Sequence, residues 1–455
     1  MSALSPLIRL FGLIMTVFFL SVSEPAFAQA PLLSSDPVPT DASATGVDTT
    51  NHNIIITPNP EIQKYIIAVS DLAVLSGSPG NNASYLPGRL SANLDMTGLF
   101  DCLDKRSFLE TDLMAGVDGQ SQPNFEAWKK IGADFLVKGG ISGSGSKLTL
   151  EMRLFDVPNG RQMLGKRYSG PAKDARKMIN QFTNTVLEAI TGIPGVFGSQ
   201  IIFVAGDKST KSIMMTELGG DEPVQIAGHK GGPSTQPTMG PGGRTAWVHR
   251  NGNKWELLVD GKVISSGPSH LSPAFRPDGT VAAAYSEAQR TAIYSFSGRN
   301  NKSFLTGLGG INVSPTFSPD GSRMAFVSDQ GGSAAVYVSS ANGGPATRLT
   351  NTGKATDPAW SPTGEYIAFV NRETDIYIVR PDGSGLKALT GGMGRNYRPS
   401  FSPDGRMIVF ASDRSGRMQL YVMNASGGRA HVLMPDYRGS QDLPYWSPTM
   451  PAEYK

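Results

Sequence analysis

The chain has 455 residues, with 53 glycines, 32 prolines, a single cysteine and a formal charge of +3. Gly and Pro together approach a fifth of the chain, against about 12% in average usage, and they are spread too evenly for a disordered or collagen-like polymer. One cysteine excludes a disulfide framework and a cysteine-cluster zinc site, and 17% charged residues with so small a balance offer no broad basic field for nucleic acid.

Residues 1–28 read as a signal peptide. A positive start ends at Arg9, the apolar run Leu10–Val22 follows, and Ala26-Phe27-Ala28 supplies a small-x-small cleavage site after Ala28. As a helix that run reaches roughly 20 Å, short of the about 30 Å of a bilayer core, so an exported protein with no membrane insertion is expected. Residues 29–50 are rich in Pro, Ser, Thr, Asp and Ala without an aromatic, and read as a flexible tether.

Residues 51–196 mix helical and strand periods and are expected to form an α/β domain. Tyr65–Leu75 reads as a strand, and Leu86, Leu90, Leu94 and Met96 mark one face of a helix started near Pro87-Gly88. Phe125, Trp128 and Ile131 recur at helical spacing. Ala133–Ser142 and Lys147–Asp156 form a hairpin pattern, and Met163–Ser169 follows the Pro158-Asn159-Gly160 turn. Ala172–Thr191 is amphipathic and stops at Gly192, with Pro194 beyond. Cys102 falls in a strand pattern and reads as a buried, inert thiol.

Beyond Val196 an internal repeat, Pro-x-aromatic-Ser-Pro-Asp-Gly, takes over. Its first prolines are Pro237, Pro273, Pro315, Pro358, Pro399 and Pro444, which lie 36, 42, 43, 41 and 45 residues apart. That period matches one four-stranded propeller blade. In the fourth copy Pro358–Pro362, Tyr366–Val370, Asp375–Val379 and Leu386–Thr390 read as its strands. The chain ends soon after Pro448, while Gln200–Ala205, Lys211–Leu218 and Glu222–Ile226 supply three strands without an anchor. Joined, they complete a sixth blade, so residues 197–455 are expected to form an all-β six-bladed β-propeller closed by strands from both ends.

No motif for hydrolysis, phosphate binding or metal binding stands out, and the five histidines (His52, His229, His249, His270, His431) are scattered. No enzyme activity and no cofactor are therefore expected. Arg395, Arg398, Arg406, Arg414 and Arg417 make one blade basic; a solvated face and a patch for an acidic partner are both open readings. The segments before each anchor proline, read as loops at one channel mouth, mix hydroxyl, amide, imidazole and charged groups, with Tyr397 and Arg398 of types favoured at binding hot spots. Two other readings stay open: a propeller that binds a glycan or small ligand, and a peptidase-associated propeller, which would need a hydrolase domain with its serine elbow.

From Asn53 onward the chain resembles the TolB family, exported propellers of the Tol–Pal envelope system of Gram-negative bacteria. The resemblance rests on Ile131-Gly132-Ala133-Asp134-Phe135-Leu136-Val137-Lys138-Gly139, on Leu187–Phe197 at the junction, on the anchor repeat and on the ending after Tyr445-Trp446-Ser447-Pro448. It implies a periplasmic, monomeric adaptor that supports outer-membrane integrity and invagination during division. It further implies that the propeller mouth binds the lipoprotein Pal, here through His270, Ser272, Asn312, Val313, Ser314, Thr356, Asp357, Tyr397 and Arg398. The mature N-terminal segment, here Asn53, Ile54, Ile55, Ile56 and Thr57, would bind TolA or pack on the protein's own domain interface. Three features depart from the family pattern: the long 29–50 tether, Met239 and Gly242 in the first anchor, and His270 three residues before its proline.

Overall fold

A computed structural model describes residues 64–451, apart from residues 120, 208, 209, 221, 229, 230, 288, 289, 300, 307, 308 and 352. The signal-peptide and tether segments, the strand expected at Asn53–Thr57, His52 and His229 lie outside the described residues. Among those described, the strands form one six-stranded mixed sheet and six four-stranded antiparallel sheets.

The six-stranded sheet comprises β1 (Tyr65–Val69), β2 (Ala73–Gly77), β3 (Phe100–Cys102), β4 (Phe135–Ser144), β5 (Lys147–Asp156) and β6 (Arg161–Pro171). The order is β3-β1-β4-β5-β6, with β2 also paired to β4. The single strand expected over Tyr65–Leu75 is two strands, broken at Ser70-Asp71-Leu72. Alternation sorts the side chains by face: Ile67, Val69, Val137 and Leu154 join one core, Ala68, Leu136 and Phe155 the other. The first core is covered by helices α1 (Asn82–Met96) and α3 (Ala175–Thr191), the second by Trp128 of α2 (Phe125–Lys130).

Helix α1 does not start at Pro87; that residue lies inside it. Proline has no N–H to give the Ala83 carbonyl four residues back, and the Leu72 backbone N–H donates to that oxygen instead, at 3.1 Å. The freed acceptor thus ties the helix to the break between β1 and β2. At the other end of the domain, α3 follows a 3₁₀ turn over Ala172–Asp174. It stops at Gly192, whose φ of 77° permits the N–H to close on the Glu188 carbonyl at 2.8 Å.

The six remaining sheets are the blades of a six-bladed β-propeller. Their first strands are Ser234–Met239, His270–Phe275, Asn312–Phe317, Ala355–Trp360, Asn396–Phe401 and Gln441–Trp446, defining blades one to six. Blade six takes its other three strands, Gln200–Ala205, Ser212–Glu217 and Val224–Ala227, from the start of the repeat region, and Gln441–Trp446 pairs antiparallel with Gln200–Ala205. The closure expected from the repeat arithmetic is present.

The core under α1 and α3 continues into blades five and six through Phe197, Ile201, Phe203, Met407, Val409, Val422 and Trp446. Polar clamps reinforce that contact. Asn184 exchanges two bonds of 2.9 Å with the Phe197 backbone, Asn180 donates to the Gly219 carbonyl at 3.2 Å, and Asn424 donates to the Thr97 carbonyl at 3.0 Å. Arg406 donates to the Pro194 carbonyl at 2.7 Å and to Thr191 Oγ1 at 3.1 Å, satisfying groups at the last residue of α3 and just past it. Among the described residues no helix is long and apolar enough to cross a membrane.

Candidate functional site

The first strand of each blade starts earlier than its anchor proline. In blade four it spans Ala355–Trp360, where Pro358–Pro362 was expected. The cause is a bulge common to all six blades. Pairing with the second strand slips between Thr235 and Thr238, Leu271 and Ala274, Val313 and Thr316, Thr356 and Ala359, Tyr397 and Ser400, and Asp442 and Tyr445. The proline, which cannot donate to the ladder, sits inside the slip. The segments expected to be loops at the mouth are therefore strand residues.

Inside each bulge the residue before the proline is left-handed. Gln236, Ser272, Ser314, Asp357, Arg398 and Leu443 have φ between 49° and 54°. Such a conformation costs about 1–3 kcal/mol at a non-glycine residue, and six repeats of it must be held by the surrounding ring. All six residues line the central channel, a cavity of about 470 Å³. The channel mouth thus receives one side chain from each blade, serine from blades two and three and a different residue type from each of the others.

These side chains form two polar groups. Gln236 Oε1 accepts from the Ser272 backbone N–H at 2.7 Å, and Ser272 Oγ lies 3.3 Å from Ser314 Oγ. Across the ring, Arg398 Nε lies 3.0 Å from Asp357 Oδ1. Beside Leu443, burial pushes the Asp442 carboxyl upward, opposed chiefly by the Lys211 ammonium. Burial pushes Lys211 downward in turn, with Asp442 opposing. Lys211, expected as the first residue of a strand, lies in the connection just before Ser212–Glu217, and its place beside Asp442 carries no local sequence signal.

The remaining mouth residues stand behind this ring. Asn312 is fully buried and donates to the Thr291 carbonyl of blade two at 3.1 Å, tying neighbouring blades together. Val313 and Tyr397 are buried in the packing, while Thr356 is half-buried. His270 is fully buried against Tyr285, with ring centroids 4.8 Å apart, and against the edge of Phe296 at 5.9 Å. The sequence reading of His270, Asn312 and Val313 as mouth loops is thereby corrected: they are buried strand residues, and the channel is lined by the bulge residues instead.

Burial, reinforced by the Lys302 ammonium, holds the His270 imidazole at about 4, below its usual 6.5. The folded state therefore binds fewer protons here than the unfolded chain. The associated stability is complete above about pH 6.5 and is lost as pH falls through about 4. Lowering the pH from 7 to 5 is expected to remove about 2 kcal/mol more from the native protein than from His270→Phe. Denaturant titration of both proteins at the two pH values reads that difference; equal losses would place the imidazole in water.

A second cavity, of about 540 Å³, lies where the small domain meets blades four and five, lined by Thr97, Leu99, Val196, Phe197, Tyr366 and Phe401 among others. Its walls join positions about 300 residues apart, so no spacing could have announced it. Cys102, at the end of β3, is half-buried and donates to the Ser91 carbonyl at 3.4 Å; burial first, then Asp95 and Asp101, push its thiol up to about 12.

Comparison with known proteins matches both parts of this architecture. The profile of the TolB amino-terminal domain matches residues 53–163, and that of the TolB beta propeller domain matches residues 187–450. The chain is 34% identical over 397 residues to the protein TolB homolog of Chlorobium luteolum, covering 83% of this chain and 90% of that one. It is 33% identical over 298 residues to the Tol-Pal system protein TolB of Desulfosudis oleivorans, covering 65% and 59%. The crystal structure of TolB from Acinetobacter baumannii superposes with a TM-score of 0.73 at 24% identity, covering 85% of this chain and 97% of that one, a likeness of fold. With both domains matched in the same order and most of a curated relative spanned, the chain belongs to the TolB family.

Proposed function

We propose that this chain is a non-enzymatic periplasmic adaptor of the Tol–Pal system. It meets Pal at the propeller mouth and TolA through the segment Asn53–Thr57, and so supports outer-membrane integrity and invagination at division. Family membership makes the chain a Tol–Pal component. The observation that carries the finer reading is the ring of six left-handed bulge residues, one from each blade and of five residue types, facing one channel mouth. Such a ring is fixed before a partner arrives, so little ordering entropy is lost on binding. Ser272, Ser314, Asp357 and Arg398 are the contact residues in this reading; His270, Asn312, Val313 and Tyr397 hold the strands that present them, with Thr356 between.

Calorimetric titration of the mature chain with the soluble domain of the host's Pal tests the reading. Binding of 1:1 stoichiometry, micromolar or tighter, is expected. Ser314→Asp is expected to weaken it tenfold or more without lowering the melting temperature. Aspartate tolerates the left-handed conformation, and Asp357 already occupies the equivalent bulge one blade away. Unchanged affinity would move the site away from the mouth. A chain lacking residues 29–57 is expected to keep Pal binding and lose TolA binding.

A further inference from the structure

The structure separates arginines that are neighbours in sequence. Arg406 is spent on the end of α3. The Arg414 guanidinium lies 4.7 Å over the Tyr421 ring and 5.0 Å over Phe410, and it donates to Asn396 Oδ1 at 2.7 Å. Arg398 is paired with Asp357 in the channel. Arg395 and Arg417 remain, and the fold adds Arg372 and Arg438 to them.

These four share one end of the blades. In an antiparallel blade, the segment entering the first strand and the turn between the second and third strands lie at the same end. Arg372 and Arg417 occupy the second-to-third turns of blades four and five; Arg395 and Arg438 occupy the segments entering blades five and six. Direct bonds stitch these segments into an arc at the mouth end. The Arg372 N–H donates to the Lys354 carbonyl at 2.7 Å, the Asn396 N–H to Thr374 at 3.0 Å, and the Gln441 N–H to Met418 at 3.2 Å. The Arg395 N–H donates to Asp413 Oδ1 at 2.7 Å, and Arg417 Nη1 to the Arg438 carbonyl at 3.3 Å.

Among the described residues none of the four guanidiniums has a salt-bridge partner, although carboxylates are close by; Arg395 faces the Tyr397 hydroxyl and Arg417 the Arg438 carbonyl, both neutral partners. Glu373 is taken by Lys354 at 3.0 Å, Asp413 by the Arg395 backbone, Asp207 by the Thr210 N–H and hydroxyl, and Asp375 by the Thr390 hydroxyl. Asp436 is the exposed acid left on these segments. The equivalent turns of blades one and three, residues 252–253 and 329–334, carry no arginine. Between the arginines, at the tip of Gly391-Gly392-Met393-Gly394-Arg395, the Met393 side chain is 60% exposed.

We propose that this arc over blades four to six is the docking surface for an acidic segment of a protein partner, Arg372, Arg395, Arg417 and Arg438 receiving its carboxylates and Met393 an adjoining apolar side chain. The inference rests on the reading of the mouth as the partner face and names the chemistry of that partner. Guanidinium forks match carboxylates two bonds at a time. The four heads come from turns of three successive blades instead of converging on one point, which suits carboxylates spaced along a chain better than a single phosphate. Thioether side chains adapt to varied protein surfaces. A lone exposed methionine is too little apolar area to seat the arc in a membrane, where interfacial binding draws on a continuous apolar face.

The test uses the mature chain and its Arg372→Gln/Arg395→Gln/Arg417→Gln/Arg438→Gln variant, with Arg299→Gln/Arg429→Gln, two exposed arginines at the far end of the blades, as the control. Melting temperatures are compared first, and single substitutions replace the combined variant if it melts early. Three probes are titrated at 50 and 300 mM salt: the soluble domain of the host's Pal, a fluorescent peptide of alternating Glu and Gly, and phosphatidylglycerol vesicles. Pal binding that weakens at least tenfold in the four-arginine variant and with added salt, but not in the control, is the expected result. Pal binding indifferent to both overturns the proposal and leaves the adaptor reading standing. If Pal does not bind the native chain, the adaptor reading fails separately. Loss of Glu–Gly peptide binding in the variant then still supports the arc, and no peptide binding to the native chain overturns it. Vesicle binding without peptide binding overturns it in favour of a lipid surface.

Discussion

Replacing Trp446 with alanine is expected to destabilise the protein by about 3–5 kcal/mol, the range for truncating a large buried aromatic. Trp446 is 1% exposed and sits in the core shared by the small domain and blades five and six. Its indole N–H donates to Ser199 Oγ at 2.7 Å, and its backbone N–H donates to Ser400 Oγ at 2.9 Å. The indole thus ties the last strand to the start of blade six, while the backbone N–H, which alanine would keep, ties it to blade five. The substitution opens a cavity and leaves the Ser199 hydroxyl without that donor. Ending the chain at residue 440 removes the whole closing strand, exposes the edge of Gln200–Ala205, and is expected to abolish the cooperative transition. Thermal unfolding followed by circular dichroism reads both. A truncated chain melting like the native one would show that the ring stands without its joint.

The second large effect is expected in the small domain. Lys138 on β4 is buried, and its ammonium lies 3.0 Å from Glu110 Oε2 and donates to the Asp112 carbonyl at 2.6 Å. Glu110 also accepts from the Trp128 indole N–H at 2.7 Å and from the Asn124 backbone N–H at 2.8 Å. The carboxylate therefore pins the 108–124 loop, the start of α2 and the sheet together. Lys138→Met leaves that carboxylate buried without its cation and is expected to cost about 3–5 kcal/mol. Adding Glu110→Gln, whose amide oxygen still accepts from Trp128 or Asn124, is expected to recover more than half of the loss. Denaturant titration of the two single variants and the double variant measures the coupling, and additive losses would show that the pair does not interact.

Lys138 illustrates what was legible. The sequence placed it in a strand and in a motif shared with the TolB family, both from local pattern. Its burial depends on Glu110, 28 positions away across an irregular loop, and no periodicity carries that. The helix ends divide the same way. Gly192 announced the stop of α3 because the left-handed conformation is a local demand. Pro87 misplaced the start of α1 because the carbonyl it leaves free is satisfied by Leu72, outside the helix.

By itself, then, the sequence determined the architecture: the repeat period set the blade, and the unmatched strands at the two ends set both the number of blades and the way the ring closes. These follow from short-range demands of turns, alternation and length. The tertiary structure alone decided which mouth residues face the channel, because the bulge at each anchor proline moves the first strand forward and turns Ser272, Ser314, Asp357 and Arg398 inward while His270 and Asn312 go behind. It also decided which arginines are left without an ion-pair partner, since what packs beside a guanidinium can come from up to 215 positions away, as Thr191 does for Arg406.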